Sequence, residues 1–189
     1  MQEAEKNELL RIAREAVQGY LRDKKIPPVT VKWQVLNEKK AAFVTWEQKS
    51  AGSDRFQLRG CIGHLAEDKP LVQVVQEMAI RAATGDPRFP PVTQSELAGL
   101  RIEISVLSPL RPVKDLSLIR VGEHGLVIEK GRNRGLLLPQ VAVREGWDLE
   151  TFLDTTCLKA GLSPGDWRSK EATLSIFSAE VFHEGEFGR

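Results

Sequence analysis

Apolar residues recur along the chain with two different spacings, one typical of helices and one typical of strands. Helical spacing predicts three amphipathic helices, over residues 7–24, 70–85 and 148–162. Asn7 and Asp148 suit the N-cap position, and Pro70 suits a first helical turn. Gly85 and Gly161 suit the ends of the second and third helices.

Alternation of apolar and polar residues predicts the strands. The predicted strands are a single strand over residues 29–35, a hairpin of residues 41–48 and 56–65, a strand over 101–109, a hairpin over 125–143 and a strand over 172–183. The first hairpin is joined by "KSAGSD", and the second turns at "GRNRG". Strands in hairpin pairs with irregularly placed helices favour an α+β fold with a largely antiparallel sheet and flanking helices.

Composition fits a soluble globular protein, with 41% hydrophobic and 28% charged residues among 189. The 27 Lys and Arg nearly balance the 26 Asp and Glu, so nucleic acid is not an expected partner. No apolar run approaches the roughly 20 residues of a membrane span. The polar first residues and the two cysteines favour a cytoplasmic protein with free thiols and no membrane association.

The stretch "LRGCIGHL", which begins at Leu58, resembles a strand with an unusual interruption. Regular alternation would place Leu58 and Ile62 in the core and would put Arg59, Cys61 and Gly63 on the opposite face, as a pocket wall. Glycines weaken a strand, so Gly60 and Gly63 indicate close approach of another group, and we predict that they contact a ligand.

Cys61 has two interpretations from the residues alone. Arg59 lies about 7 Å away along a strand, and a nearby cation favours the nucleophilic thiolate. Cys61 would then be reactive or would contact a ligand, and Arg59 would bind an anion. Alternatively, Cys61 is a small buried residue beneath a surface arginine, because free cysteine is among the most buried residue types.

Further candidate residues lie in "DPRF" and "GEHGL". Asp86 is a candidate base or orienting acceptor and Arg88 a candidate anion ligand, although the two could equally form a structural bridge. His124 is a candidate general base, or simply a solvated turn residue. The three histidines and two cysteines form no zinc pattern, and no Walker loop or GxGxxG fingerprint occurs. We therefore predict neither a metal nor a cofactor.

Three motifs together resemble the AMMECR domain family: "LRGCIG" at residues 58–63, "DPRF" at 86–89 and "GLLLPQVA" at 135–142. The resemblance extends from about Leu9 to Glu184. It implies one domain over residues 1–189, made of a larger and a smaller interleaved lobe that enclose a cleft near the cysteine motif. Gln140 would lie where a strand meets that cleft, as a ligand-binding residue.

Two functions follow as hypotheses. In the first, the protein is an enzyme or enzyme component in which Cys61 is the nucleophile, Arg59 and Arg88 fix a small anionic ligand, and Asp86 or His124 transfers protons. In the second, it is a non-catalytic accessory module. The resemblance implies partners for this second hypothesis, because relatives are grouped with Memo-like and radical-SAM proteins in the AmmeMemoRadiSam system, whose protein A this chain resembles.

Overall fold

The computed structural model describes residues 1–50 and 52–185. Ala51, in the loop predicted at residues 49–54, lies outside the described residues, as do residues 186–189 of the predicted domain. The chain divides into two compact units. Unit 1 consists of residues 1–106 and the segment that begins at Val181, and unit 2 consists of Leu107–Glu180.

The helices and strands of the described chain are numbered in sequence order. The helices are α1 (Glu3–Asp23), α2 (Leu71–Thr84), α3 (Pro139–Glu145) and α4 (Leu149–Lys159). The strands are β1 (Ala42–Lys49), β2 (Phe56–His64), β3 (Leu100–Leu107), β4 (Arg111–Pro112), β5 (Gly125–Lys130), β6 (Asn133–Leu137), β7 (Thr173–Phe177) and β8 (Ala179–His183). No helix among these described residues is both long and apolar enough to cross a membrane.

The sheet of unit 1 has the strand order β2-β1-β3-β8, and β1 pairs antiparallel with both β2 and β3. Alternate residues of β1 and β3, such as Val44, Trp46 and Ile102, are fully buried in one core with residues of α1 and α2. The indole N–H of Trp46 donates to the carbonyl of Ala79 in α2, at 2.9 Å. This bond satisfies the one polar atom of a large buried ring.

The sheet of unit 2 has the strand order β4-β7-β5-β6, with antiparallel β4–β7, β5–β7 and β5–β6 pairs. Phe152 and Cys157 of α4 are buried in its core with Ile128 and Ile176 of the sheet. The side chain of Asp148 accepts the backbone N–H of Thr151, which confirms it as the cap of this helix. The α+β prediction is confirmed, but with two sheets.

The strand predicted over residues 29–35 is wrong. The segment up to Trp33 has no ladder, and a 3-10 turn follows at Gln34–Asn37. Val29, Val31, Trp33 and Val35 nevertheless pack, partly buried, against the core of unit 1. The alternation therefore reports burial of every second side chain in an extended segment, and burial does not require a hydrogen-bonded partner strand.

Three further predictions need correction. The first helix begins at Glu3 with Gln2 as its N-cap, so Asn7 lies inside it. The second hairpin ends at Leu137, because Pro139 occupies the first turn of α3. Residues 172–183 form two strands, β7 and β8, which belong to different sheets and are separated at Ser178.

Candidate functional site

The LRGCIG strand, β2, contains a β-bulge at Arg59. Gly60 lies opposite Trp46, whereas Leu58 lies opposite Glu47, so Arg59 is an extra residue in the ladder. Opposed residues share a face. Leu58 therefore lies on the face opposite buried Trp46, which corrects its predicted place in the core.

Arg59, the residue at the bulge, makes hydrogen bonds with residues of the segment that follows "DPRF". Its Nε and Nη2 donate to the Glu96 carboxylate at 2.6 and 3.1 Å, and its Nη1 donates to the Pro90 carbonyl at 2.9 Å. The side chain is 11% exposed. Arg59 thus ties β2 to the segment that follows "DPRF", with its charge balanced by Glu96. Its predicted role in anion binding stays a prediction.

Asp86 is the centre of the site, and its two carboxylate oxygens accept four hydrogen bonds. Oδ2 accepts the Cys61 backbone N–H at 2.8 Å and Arg88 Nη2 at 2.7 Å. Oδ1 accepts the Arg88 backbone N–H at 3.1 Å and Arg88 Nε at 3.0 Å. The Asp86 side chain is 2% exposed, whereas that of Arg88 is 51% exposed. This arrangement is the structural bridge that the sequence left open.

The bridge decides the protonation state of Asp86. The hydrogen bonds from Arg88, assisted by the backbone N–H groups, lower the pKa of Asp86 from 3.8 to about 2 although burial acts in the opposite direction. The carboxylate is therefore ionised at neutral pH, and it is a very weak base. Asp86 positions Cys61 and Arg88 more readily than it could accept a proton.

The Cys61 thiol lies opposite Thr45 in the β1–β2 ladder. The Thr45 hydroxyl donates to Cys61 Sγ at 3.2 Å. Burial raises the pKa of the Cys61 thiol, and the smaller effects of Thr45 and Arg88 in the opposite direction do not cancel it. At neutral pH, Cys61 is a thiol and not the thiolate that a neighbouring Arg59 would have favoured.

Both glycines of the motif are approached closely, but by groups of the protein itself. A Cβ at Gly60 would lie 2.1 Å from the carbonyl oxygen of Ala82 in α2. A Cβ at Gly63 would lie 2.3 Å from the ring of Phe43. The close approach is confirmed, and ligand contact at either glycine stays a prediction.

The other two predicted residues belong to unit 2. His124 precedes β5, and its Nδ1 accepts the Arg120 backbone N–H at 3.1 Å. Gln140 lies in α3, not at the end of a strand, because the helix begins at the preceding proline. The structure thus joins Cys61, Asp86 and Arg88 directly. Among the described residues, no group of three His, Cys, Asp or Glu is placed to hold a metal ion.

Sequence reasoning missed Thr45 and Glu96. Thr45 faces Cys61 only because the first hairpin has its particular register, which the sequence of its loop does not specify. Glu96 is 37 residues from Arg59 along the chain, and no local pattern links the two. Only the bulge at Arg59 indicates that this side chain needs a partner, and the bulge is not visible in the sequence.

Known proteins are similar to this chain over nearly its whole length. The AMMECR1 family model matches residues 10–182. A protein of Methanothermobacter thermautotrophicus is 45% identical over 185 residues, which covers 93% of this chain and 92% of the relative. A Methanopyrus kandleri protein is 46% identical over 189 residues, covering 94% and 87%.

A solved structure is similar throughout as well. The crystal structure of an uncharacterized protein from Pyrococcus horikoshii has a TM-score of 0.88 and 42% sequence identity, and covers 94% of this chain and 90% of its own. The match therefore extends over most of the residues of each unit. The chain belongs to the AMMECR1 family.

Proposed function

We propose that the protein is a binding module that recognises an anionic group through Arg88, with Cys61 as an uncharged neighbour of the bound group. One observation carries the proposal: both oxygens of Asp86 are occupied in holding the Cys61 backbone and the Arg88 side chain. Such a cluster holds the Arg88 guanidinium in one orientation and leaves its Nη1 for a ligand. Preorganised donors of this kind favour recognition.

The same cluster disfavours an enzyme in which Cys61 attacks a substrate. Covalent catalysis by cysteine needs a thiolate, and burial raises the pKa of the Cys61 thiol. It also needs a base, and the pKa of Asp86 is lowered to about 2. Cys61 is therefore in its unreactive thiol form, and the ionised Asp86 carboxylate is too weak a base to take the thiol proton.

Arg88 has the exposure and geometry that anion recognition requires. Asp86 engages Nε and Nη2, while Nη1 makes no hydrogen bond to any described residue. The ring centroid of Phe89 lies 5.5 Å from the guanidinium carbon, within the range of a cation–π interaction. Because the Asp86 charge offsets that of Arg88, a free small ion gains little attraction. An anionic group with further contacts, such as one on a partner protein, gains more.

We propose Memo-like and radical-SAM proteins as the partners, with this chain as their accessory component in the cytoplasm. The support is the grouping of AMMECR relatives with such proteins in the AmmeMemoRadiSam system. An accessory component of this kind would leave the making and breaking of covalent bonds to the partner proteins. It would contribute the recognition of one group on a partner or on its substrate.

Binding of the full-length chain to Memo-like and radical-SAM proteins from the same genome tests the proposal. We expect wild type and Cys61→Ser to bind one of these partners with similar affinity, because the serine hydroxyl is uncharged and similar in shape to the thiol that it replaces. Arg88→Gln should bind about tenfold more weakly or worse, since a charge-assisted hydrogen bond is lost.

The matched control is Arg132→Gln, which removes the same charge from an exposed turn of unit 2 and should leave the affinity unchanged. Absence of a complex with either partner protein would refute the proposed partners. Loss of binding in Cys61→Ser with full binding in Arg88→Gln would instead assign the function to the thiol.

A further inference from the structure

A separate polar pocket lies entirely within unit 2, where β7 ends. Its volume is about 250 Å³. The residues that line it include Ser108, Arg111, His124, Ile176, Phe177 and Ser178. None of these residues belongs to the Cys61 cluster. The volume is below the roughly 300–1,000 Å³ of pockets that hold drug-sized molecules, so the ligand must be small.

We propose that this pocket binds a small organic carboxylate, held by Arg111 and His124. The inference extends beyond the proposed function of the Cys61 cluster, because it assigns a second binding site to the other unit. His124 then acts as a hydrogen-bond donor to the ligand, in place of the general base suggested by the sequence.

Arg111 supplies the positive charge. It lies in β4 opposite Ile176 of β7, and its side chain is exposed. The guanidinium makes no hydrogen bond or ion pair with any residue of the described chain. A cation without an acidic partner is not neutralised locally, and its planar fork matches a carboxylate.

His124 supplies a second, oriented donor. Its Nδ1 accepts the backbone N–H of Arg120 at 3.1 Å, so the hydrogen of the neutral ring is on Nε2. Within residues 1–50 and 52–185, Nε2 has no hydrogen-bond partner. The bond to Arg120 therefore leaves Nε2–H as the one uncommitted donor of a ring that lines the pocket.

The charge of the pocket favours a carboxylate over inorganic phosphate. One guanidinium and one ring N–H match a singly charged group, and a doubly charged ion costs more to desolvate. The floor is closed and offers almost no apolar surface, since Ile176 and Phe177 are 1% and 2% exposed and the Phe177 ring lies where a side chain at Gly125 would be. The rim is rigid, because Ser108 and Ser178 are joined by two hydrogen bonds of 2.9 Å.

Titration of the isotope-labelled full-length chain with acetate, butyrate, hexanoate and inorganic phosphate, followed by NMR, tests this site. We expect saturable shifts at the Gly125 and Ser178 amides, with acetate and butyrate binding with similar affinity, because the closed floor offers little apolar surface to the two further methylenes. Phosphate should bind more weakly than butyrate. Arg111→Gln should weaken butyrate binding about tenfold or more, and Arg132→Gln should not change it.

The Arg111 side chain is exposed and makes no hydrogen bond or ion pair with a described residue, so we expect Arg111→Gln to change binding with little effect on stability. Equal butyrate affinity in Arg111→Gln and Arg132→Gln would overturn the proposal. So would phosphate binding as tightly as butyrate, or the absence of saturable shifts at these amides with all three carboxylates.

Discussion

Alanine at Gly60 is expected to lower the free energy of unfolding by about 3 kcal/mol or more, the upper part of the range for an overpacked core. The added Cβ would lie 2.1 Å from the Ala82 carbonyl oxygen. Neither side can yield easily, because the contact joins the backbone of β2 to the backbone of α2. Relief of the clash requires that the helix move away from the sheet, which separates buried apolar residues on both sides.

Urea denaturation of purified wild type and Gly60→Ala measures this effect, and thermal melting should show a decrease of roughly 6–12 °C. Gly99→Ala is the matched control, because a Cβ there meets nothing within 4 Å. We expect that control to stay within about 0.5 kcal/mol of wild type. Equal stability of the two variants would show that α2 and β2 are not in close backbone contact at Gly60.

Asparagine at Asp86 should destabilise the protein by about 2 kcal/mol at neutral pH. The amide oxygen can still accept the Cys61 N–H, but the NH₂ group replaces the oxygen that accepts the Arg88 backbone N–H and Nε, and the charge-assisted pair is lost. The loss is moderate because Arg88 is half-exposed and can turn to water. Urea denaturation across a range of pH values is the measurement.

The destabilisation by Asp86→Asn should depend on pH in a defined direction. The pKa of Asp86 is lowered from 3.8 to about 2 in the folded protein, so its ionised form stabilises the fold above pH 4. That stabilisation decreases as the pH falls through 2, and the difference between wild type and Asp86→Asn should disappear there. Asp23→Asn, at an exposed position, should differ little from wild type at any pH. A difference that does not decrease below pH 4 would exclude ionisation of Asp86 as its cause.

The elements that the sequence predicted well are those in which hydrophobic period and local chemistry agree. α2 has apolar residues on one face, Pro70 before its first turn and Gly85 at its end. The Val29–Val35 segment shows the limit of periodicity, since alternation reports burial and says nothing about a partner strand. The assignment of β7 and β8 to two sheets depends on tertiary pairing around Ser178, which no local pattern encodes.

The sequence predicts which residues form the candidate site, but it does not predict the hydrogen bonds between them. The motifs "LRGCIG" and "DPRF" contain Cys61, Asp86 and Arg88, which the structure joins through hydrogen bonds. The protonation states could not be predicted, because they depend on burial of the thiol and on the bidentate Arg88 contact. The bulge at Arg59 also required the β1–β2 register.

The pH dependence of Cys61 alkylation in the folded wild-type protein tests most directly whether the cluster binds or reacts. Mass spectrometry resolves Cys61 from Cys157, and the urea-unfolded chain supplies the reference rate for an ordinary thiol. We expect Cys61 to react more slowly than this reference at neutral pH, with a midpoint above about 8.5, the ordinary pKa of cysteine. A midpoint near 7 or below, with Cys61 reacting faster than the unfolded chain, would establish a thiolate and refute the recognition site proposed for Arg88 and its uncharged neighbour.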